Sequence, residues 1–291
     1  MKAKIIYILG CGRSGTTLLD IILGNAPNIF STGELNRFLK RNGIPHTPRD
    51  NDVKCFWEKI SDEIRYKEGK TNLYDLYPLV KKYEYHSSFY RMFIPFKNKE
   101  SFHAYSAFQR NLFTVTTEHI RSLFNKEVIV DSSKYPLRAF FLSKIFATEI
   151  SFIYVRRNPV SVVNSFQKKE IEQPPKSRTM ANLYLLCVNI LAKRIVERLK
   201  KFHKMAIVNY EELLASPVEA ISKLETDLQI DLSAVKQRIK NSSPLKVGFL
   251  FDGNRLRHEQ EIIFKKSSTF EKPKTVIDTL FYPLHKLTWY K

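Results

Sequence analysis

The sequence predicts an α/β fold in which a central parallel sheet carries helices on both of its faces. Short apolar runs rich in β-branched residues recur along the 291-residue chain, and helical patterns separate them. The first of these runs leads through glycines directly into a helical pattern. Hydrophobic residues make up 43% of the chain and charged residues 26%, which is typical of globular proteins and excludes collagen-like, disordered and low-complexity classes.

The predicted elements follow one another in a regular alternation. A strand at residues 4–9 precedes a helix that begins at Thr16 and ends near residues 24–27. Further strands are expected at 127–130, 151–155 and 206–208, and helices at 136–147, 160–169, 180–201, 217–228 and 232–240. Residues 36 to about 110 are rich in Tyr, Phe and Lys and show no clean strand pattern. We therefore expect one domain over residues 1–291, with a helical insertion at about 36–110.

Charge and cysteine content limit the partners and the compartment. The chain has 48 Lys and Arg residues against 29 Asp and Glu residues, and its net charge of +19 favours anionic partners. Its three scattered cysteines are too few for a disulfide framework and form no C-x-x-C pair, so we expect a reducing, cytoplasmic compartment. We find no run of about 20 uninterrupted apolar residues, which indicates a soluble chain and leaves peripheral membrane contact open.

A glycine loop at residues 10–17 reads Gly-Cys-Gly-Arg-Ser-Gly-Thr-Thr, between the first strand and the first helix. Glycines let backbone N–H groups converge, and a helix N-terminus adds partial positive charge, so this loop suits a phosphate. The nucleoside-triphosphate motif G-x-x-x-x-G-K-[ST] requires lysine at position 16, where this chain has threonine. The loop therefore offers one cation, Arg13, and three hydroxyls, but no lysine for a β/γ-phosphate pair.

At this loop the sequence resembles the sulfotransferases that use 3′-phosphoadenosine 5′-phosphosulfate (PAPS), among them bacterial, carbohydrate and tyrosylprotein sulfotransferases. The family binds the 5′-phosphosulfate with a segment R-S-G-T-T, which residues 13–17 match one for one. The resemblance implies a three-layer P-loop-like fold and metal-independent transfer of a sulfuryl group to a hydroxyl acceptor. The residues implied to bind the 5′-phosphosulfate are Gly12, Arg13, Ser14, Gly15, Thr16 and Thr17.

Two further segments resemble the parts of the family that bind the 3′-phosphate. Arg157 follows a predicted strand, and Ser165 comes eight residues later, the spacing of the family's 3′-phosphate motif. An arginine can clamp phosphate with two hydrogen bonds, and Arg156, at a spacing of nine, is the alternative. Residues 253–257, Gly-Asn-Arg-Leu-Arg, resemble the basic loop that closes over the 3′-phosphate and adenine, and the choice between Arg255 and Arg257 stays open.

Transfer to a hydroxyl also needs a base and a cation near the reacting group. Glu34 stands where tyrosylprotein and several carbohydrate sulfotransferases carry their base, which implies that role for it. Lys134, at the end of a predicted strand and shortly before Pro136, is expected to stabilise the leaving group together with Arg13. The alternative bases are His46, His86, His103 and His119, and no metal-ligand spacing links them.

The acceptor remains open, although the net charge fits an anionic sugar or lipid that bears a hydroxyl. Two other functions are kept as alternatives. A nucleotide-dependent kinase with a degenerate loop would bind ATP with magnesium, whereas the sulfotransferase would bind adenosine 3′,5′-bisphosphate without metal. A non-catalytic basic module would bind nucleic acid or membrane, but we find no aromatic-basic motif or recognition helix and expect no nucleic acid partner.

Overall fold

A five-stranded parallel sheet forms the centre of the protein in a computed structural model, which describes residues 4–96, 99–168, 175–267 and 270–289. The spatial order of its strands is β2–β3–β1–β4–β5. The strands are β1 Lys4–Gly10, β2 Ile29–Ser31, β3 Val128–Lys134, β4 Ile150–Arg156 and β5 Met205–Asn209. The four predicted strands are confirmed. Strand β2 was not predicted, because three residues are too short to show a periodicity.

Helices cover both faces of this sheet. They are α1 Thr16–Gly24, α2 Asn51–Glu68, α3 Tyr77–Tyr83, α4 Glu100–Phe124, α5 Pro136–Ile145, α6 Pro159–Phe166, α7 Arg178–Leu199, α8 Tyr210–Ala215, α9 Pro217–Leu228, α10 Ser233–Lys240 and α11 Val276–Trp289. The predicted helices end within a few residues of these bounds, and Lys169, the expected last residue of α6, lies outside the described residues. Helices α8 and α11 were not predicted.

Strand β1 shows why the fold has three layers. Its alternate side chains enter two separate cores, since successive residues of a strand point to opposite faces. Tyr7 and Leu9 belong to a core that includes residues of α2, α4, α5 and α7. Ile6 and Ile8 belong to the other core, with residues of α1, α9 and α10. The α/β architecture with helices on both faces of a parallel sheet is therefore confirmed.

The region from 36 to about 110 is mainly helical in its described part. It contains α2, α3 and the first turns of α4, together with short 3-10 turns. Helix α2 begins after Asp50, whose side chain accepts a hydrogen bond from the N–H of Val53 at 2.9 Å, and ends at Gly69, which has φ 60°. Helix α4 runs on to Phe124 and leads into β3, so the whole segment is inserted between β2 and β3.

A small hairpin follows α10. Strand β6, Leu245–Lys246, pairs antiparallel with β7, Glu261–Ile262. The predicted basic loop at 253–257 lies between these two strands, and its end forms a 3-10 turn at Arg255–His258.

Helix α7 is, among the described residues, the one helix long and apolar enough to cross a bilayer, with a mean hydropathy of 1.3 over its most apolar window. The sequence pattern predicted this helix at 180–201 but did not mark it as long and apolar enough to cross a bilayer. Forty-four per cent of that window is buried inside the protein, where α7 packs against α5 and β1. Core helices of soluble proteins meet the same length and composition criteria.

Candidate active site

The glycine loop joins β1 to α1 in a conformation that these residue types permit. Arg13 and Gly15 have φ angles of 70° and 95°, in the left-handed region. A Cβ on Gly15 would lie 2.2 Å from the ring of Tyr210, and one on Gly10 would lie 2.7 Å from the carbonyl oxygen of Val155. The loop therefore needs glycine at both positions.

The N-terminus of α1 is open to an anion. No side chain among the described residues caps it, so the N–H groups of its first turn keep their positive ends available. Thr16 and Thr17, at its start, are buried. Ser14 uses its hydroxyl proton inside the loop, donating to the carbonyl oxygen of Cys11 at 2.7 Å. The arrangement has the features of a binding site for a phosphate or sulfate group.

Arg157 links the end of β4 to this loop. Its Nη1 donates a hydrogen bond to the carbonyl oxygen of Arg13 at 2.8 Å. Its guanidinium lies 4.5 Å from the centre of the Tyr210 ring, the ring that also lies beside Gly15. Its Nε has no hydrogen-bond partner among the described residues. The two segments predicted to hold opposite ends of one nucleotide are thus in direct contact, 144 residues apart in sequence.

The residues near Arg157 in the sequence differ in their positions and contacts. Arg156 is the last residue of β4, and burial lowers its pKa. Asn158 begins α6, with a side chain that accepts a hydrogen bond from the N–H of Ser161 at 3.1 Å. Ser165 lies in the last turn of α6 and is half-buried. Its role in holding the 3′-phosphate stays a prediction.

Glu34 and Lys134 form an ion pair, although they are 100 residues apart in the sequence. Glu34 is buried, with 4% of its surface exposed. Lys134 ends β3 with φ 63°, at the point where the pairing of β3 with β1 loses its regular register. Arg37 lies on the other side of the carboxylate, with 3.9 Å between its Nε and Glu34 Oε2. The predicted base and the predicted cation therefore meet at the carboxyl edge of the sheet, beside the glycine loop.

The backbone around Glu34 is held between two neighbouring segments. The N–H of Ser132 in β3 donates to the carbonyl oxygen of Gly33 at 2.9 Å, and the N–H of Glu34 donates to that of Asp252 at 3.0 Å. Gly33 has φ 75°, and a Cβ on it would lie 2.3 Å from the carbonyl oxygen of Asp252. Glycine at this position lets the two segments approach and sets the direction in which Glu34 leaves the sheet.

Asp20 is a site residue that sequence reasoning missed. It is fully buried in α1, and its carboxylate accepts hydrogen bonds from the hydroxyls of Ser31 and Ser132 and from the N–H of Gly33. Burial raises its pKa to about 7, although these hydrogen bonds act in the opposite direction. Asp20 thus connects α1 to the ends of β2 and β3, directly before Glu34 and Lys134. A buried aspartate inside an apolar helix was the available sequence signal.

The basic loop after β6 lies against the glycine loop. The two arginines of this basic loop, Arg255 and Arg257, have different surroundings. A Cβ on Gly253 would lie 3.3 Å from the side chain of Thr17. Arg257 is buried and donates to Asp252 Oδ1 at 3.0 Å and to the carbonyl oxygen of Gly253 at 2.7 Å. Arg255 is exposed. The contacts of Arg257 hold the loop itself, whereas Arg255 lies on its surface, and a role for either in binding the 3′-phosphate stays a prediction.

Aromatic side chains lie beside the Glu34–Lys134 pair. The ring of Tyr135, the residue after Lys134, is stacked with that of Tyr85 at 5.9 Å and with that of His86 at 4.8 Å. Tyr184 of α7 meets His86 edge-on at 6.1 Å. Burial lowers the pKa of His86 to about 4, so this histidine is neutral near pH 7. These residues come from the insertion, the end of β3 and α7, and together they form an aromatic wall beside the Glu34–Lys134 pair.

The other predicted histidines have different surroundings. His119 contacts Glu63 through its Nε2 at 3.1 Å, between α4 and α2. The backbone oxygen of His46 accepts a hydrogen bond from Arg257 at 3.4 Å. His103 lines a surface cavity with Phe102 and Arg110. Within the described ranges, no group of three or more His, Cys, Asp and Glu side chains is arranged to hold a metal ion.

Comparison with known proteins adds evidence from outside the chain. A family model described as "Sulfotransferase family" matches residues 6–234. No curated protein sequence matches the chain. Among solved structures, the sulfotransferase domain from the curacin biosynthetic pathway is similar, with 16% identity, 98% of each chain covered and a TM-score of 0.52. At this identity the likeness supports the three-layer P-loop-like fold.

Two other solved structures are similar to the chain. The sulfotransferase domain of the Synechococcus PCC 7002 olefin synthase is 20% identical over 81% of this chain and 77% of that one, with a TM-score of 0.44. Sulfotransferase STF1 from Mycobacterium tuberculosis H37Rv is 14% identical over 82% of this chain and 70% of that one, with a TM-score of 0.49.

Proposed function

The chain belongs to the sulfotransferase family, and on this basis we propose that it transfers a sulfuryl group from PAPS to a hydroxyl group of an acceptor. The observation that carries the proposal is the direct contact between Arg157 and the glycine loop. It brings the two segments that resemble the family's 5′- and 3′-phosphate motifs within the span of one nucleotide, next to the Glu34–Lys134 pair.

The residues present fit a nucleotide that carries anionic groups at both its 3′ and its 5′ position. The first turn of α1 presents uncapped N–H groups, and Arg157 has a buried Nε without a partner among the described residues. Tyr210 supports both the guanidinium of Arg157 and the turn at Gly15. Arg13 and Arg255 add positive charge on either side of the loop. When bound, PAPS would supply the activated sulfuryl group and leave as adenosine 3′,5′-bisphosphate.

The Glu34–Lys134 ion pair is proposed to accept the proton of the acceptor hydroxyl and to neutralise the negative charge of the leaving group. Glu34, which lies between Lys134 and Arg37, would accept the proton of the acceptor hydroxyl as the new S–O bond forms and the S–O bond to the 5′-phosphate breaks. Lys134 would then be released from a charged partner, and its ammonium group could neutralise the negative charge that develops on the departing phosphate oxygen. Arg13, in the loop, would share that charge.

The acceptor and the compartment are proposed from the charge of the chain, the aromatic rings near Glu34 and the cysteines. We propose a hydroxyl-bearing acceptor that is an anionic sugar or lipid, because the chain is strongly basic and aromatic rings flank Glu34. The cysteines of the described residues, Cys11, Cys55 and Cys187, are free thiols, which is consistent with the proposed cytoplasmic compartment.

A thermal-shift comparison tests the proposed donor. Adenosine 3′,5′-bisphosphate should raise the midpoint of unfolding without any metal, since a ligand that binds only the folded state stabilises it. ATP with magnesium should have little effect, because position 16 lacks the phosphate-binding lysine. Stabilisation by ATP with magnesium but not by the bisphosphate would favour a kinase and overturn the proposal.

A pair of arginine variants tests the clamp. Arg157→Ala should weaken binding of adenosine 3′,5′-bisphosphate by about 1.5 to 3 kcal/mol, the range for hydrogen bonds to charged groups. Arg156→Ala is the matched control, because the neighbouring arginine at the end of β4 should have a smaller effect. Isothermal titration calorimetry measures both. A larger loss in Arg156→Ala would move the clamp to that residue.

A further inference from the structure

Three elements of the protein carry most of its exposed apolar side chains. They are the 3-10 turn at His86–Met92 with the two residues after it, helix α7 and helix α11. Four such side chains lie on the first element, three on α7 and four on α11, which is eleven of the seventeen in the described part of the chain. Soluble proteins rarely leave so large a share of exposed apolar surface in one region without a partner.

The three elements are packed side by side, with α7 in the middle. On one flank of α7, Tyr184 contacts the ring of His86 and Arg198 lies 5.3 Å from the ring of Phe93. On the other flank, Asn182 Oδ1 accepts a hydrogen bond from His285 Nε2 of α11 at 3.0 Å. Because an α-helix turns about 100° per residue, these two flanks are on opposite sides of α7.

The exposed apolar residues of α7 lie between those flanks. Met180, Leu183 and Ile190 project from the sector that neither neighbouring element covers, and Met180 has 58% of its surface exposed. The exposed apolar residues of α7 thus lie between two elements that carry exposed apolar residues of their own, and we call the exposed apolar side chains of these three elements the α7 face.

Helix α11 is amphipathic in a way that increases this surface. Asp278, His285 and Thr288 are buried towards the protein, and Asp278 forms an ion pair with Arg178 of α7. Leu280, Leu284 and Leu287, at spacings of four and three, are on the opposite side, and Leu280 is 68% exposed. The helix thus binds the protein through polar contacts and leaves its leucines outside.

Exposed cations lie on α7, on α11 and on the segment that leads into α11. The exposed cations are Arg194 and Arg198 on α7, Lys272 and Lys274 before α11, and Lys286 within it. Acidic residues on these elements are fewer: Glu197 of α7 is exposed, whereas Asp278 is paired with Arg178. Arginine and lysine have apolar stems that can lie along an apolar surface while the charged groups stay in the headgroup region. An apolar stripe with flanking cations has the chemistry that binds an anionic bilayer surface.

We propose that the α7 face is a docking surface for an anionic lipid bilayer, with Leu280, Leu284 and Phe93 entering the interface and the surrounding cations contacting acidic headgroups. Two residues of the aromatic wall near Glu34, His86 and Tyr184, belong to the same elements, so a docked bilayer would lie beside the acceptor side of the site. That last point rests on the proposed function, whereas the membrane contact does not.

Vesicle sedimentation tests the proposal directly. The protein should sediment with vesicles of phosphatidylcholine and phosphatidylserine in about a 2:1 ratio, and weakly with phosphatidylcholine alone. The double variant Leu280→Ser with Leu284→Ser should lower the partition coefficient at least about tenfold, because two leucines no longer enter the interface. The matched control, Tyr66→Ser with Leu123→Ser, removes two exposed apolar side chains of α2 and α4 and should bind as the wild type does.

A charge variant keeps the test decisive if the leucine variant folds poorly. Lys272→Glu with Lys274→Glu should weaken binding to the phosphatidylserine vesicles several-fold and reduce its dependence on salt. Circular dichroism and the thermal shift with adenosine 3′,5′-bisphosphate report folding and donor binding separately, and neither should change.

Three results would overturn the proposal. The wild type could remain in the supernatant with anionic vesicles, or the α2–α4 control could lose as much binding as the α11 variant. Light scattering could also show that the wild type is a dimer that the α11 variant dissociates, without vesicle binding, in which case the surface would be covered by a second copy of the chain.

Discussion

Two groups of paired charges lie at the end of β3, and they differ in their surroundings. Lys134 meets Glu34 at the edge of the site and keeps 21% of its side chain exposed. Four residues later, Arg138 is completely buried between Asp131 and Glu84. Its Nε and Nη2 donate to Asp131 Oδ2 at 3.1 and 2.9 Å.

This difference in burial indicates which of the two groups can take part in a reaction. The buried arginine has two carboxylate partners, and Glu84 also accepts a hydrogen bond from Tyr105 at 2.9 Å. Removing any of these partners would leave a charge uncompensated in the core, so the buried group holds the insertion to the sheet. Lys134 is a compact charge on a flexible stem at the site surface, and it can exchange one anionic partner for another.

The largest expected effect is on turnover and comes from Glu34→Gln. If Glu34 is the base, kcat should fall by about 10² to 10⁴, the usual contribution of general base catalysis. Affinity for adenosine 3′,5′-bisphosphate should not change, because Glu34 lies on the acceptor side. Steady-state assays with labelled PAPS and calorimetry measure the two quantities. Turnover close to that of the wild type would break the comparison and direct attention to His86.

The buried group of Arg138, Asp131 and Glu84 should matter for stability, whereas Glu34 should matter for turnover. Arg138→Met should lower the free energy of unfolding by about 3 to 5 kcal/mol, because it leaves Asp131 and Glu84 buried without their cation. Urea unfolding followed by fluorescence provides the measurement. A loss below about 1 kcal/mol would show that the buried group is no more important to the fold than an exposed pair.

Lys134→Ala should lower kcat by about 10² to 10³, as expected for one lost electrostatic contact in the transition state. The affinity for the bisphosphate should fall less than kcat. Lys134→Arg serves as the control, since it keeps the charge and should recover part of the rate. A variant that loses affinity while keeping kcat would make Lys134 a binding residue instead.

Asp20 gives the smallest effect within any one pH unit, and it sharpens the comparison because it is a buried carboxyl with hydrogen-bond donors around it. Its folded-state pKa of about 7 lies above the ordinary value of 3.8, so the folded state binds more protons between these pH values. Its contribution to stability should therefore decrease as pH rises from about 4 to about 7, by at most about 1.4 kcal/mol per pH unit.

The measurement for Asp20 compares the wild type with Asp20→Asn by urea unfolding at several pH values. The difference in unfolding free energy between the two proteins should shift against the wild type as pH rises, because only the wild type has the carboxyl. A difference that stays constant from pH 5 to pH 8 would mean that Asp20 ionises normally in the folded state.

Much of the scaffold was predictable because its signals are local. The strand, glycine loop and helix from residue 4 to residue 24 follow from apolar periodicity and from glycines in a tight turn. Strand β2 was missed because three residues carry no period, and α11 was missed because Pro283 lies inside it. Asp20 was missed although it interrupts an apolar helix, whereas the contacts of Tyr210 and of the Glu84–Arg138–Asp131 group join segments that are distant in the sequence.

The sequence by itself determined the class of site: an anion-binding loop without a nucleoside-triphosphate lysine, an arginine at the end of a strand, and a glutamate and a lysine at chain positions that resemble one family. Only the tertiary structure decided that Glu34 pairs with Lys134, that Arg157 touches the loop, and that Arg257 is buried in an internal ion pair while Arg255 is exposed. The physical reason is that backbone conformation depends on adjacent residues, whereas charge pairing and burial depend on which strands become neighbours in the sheet.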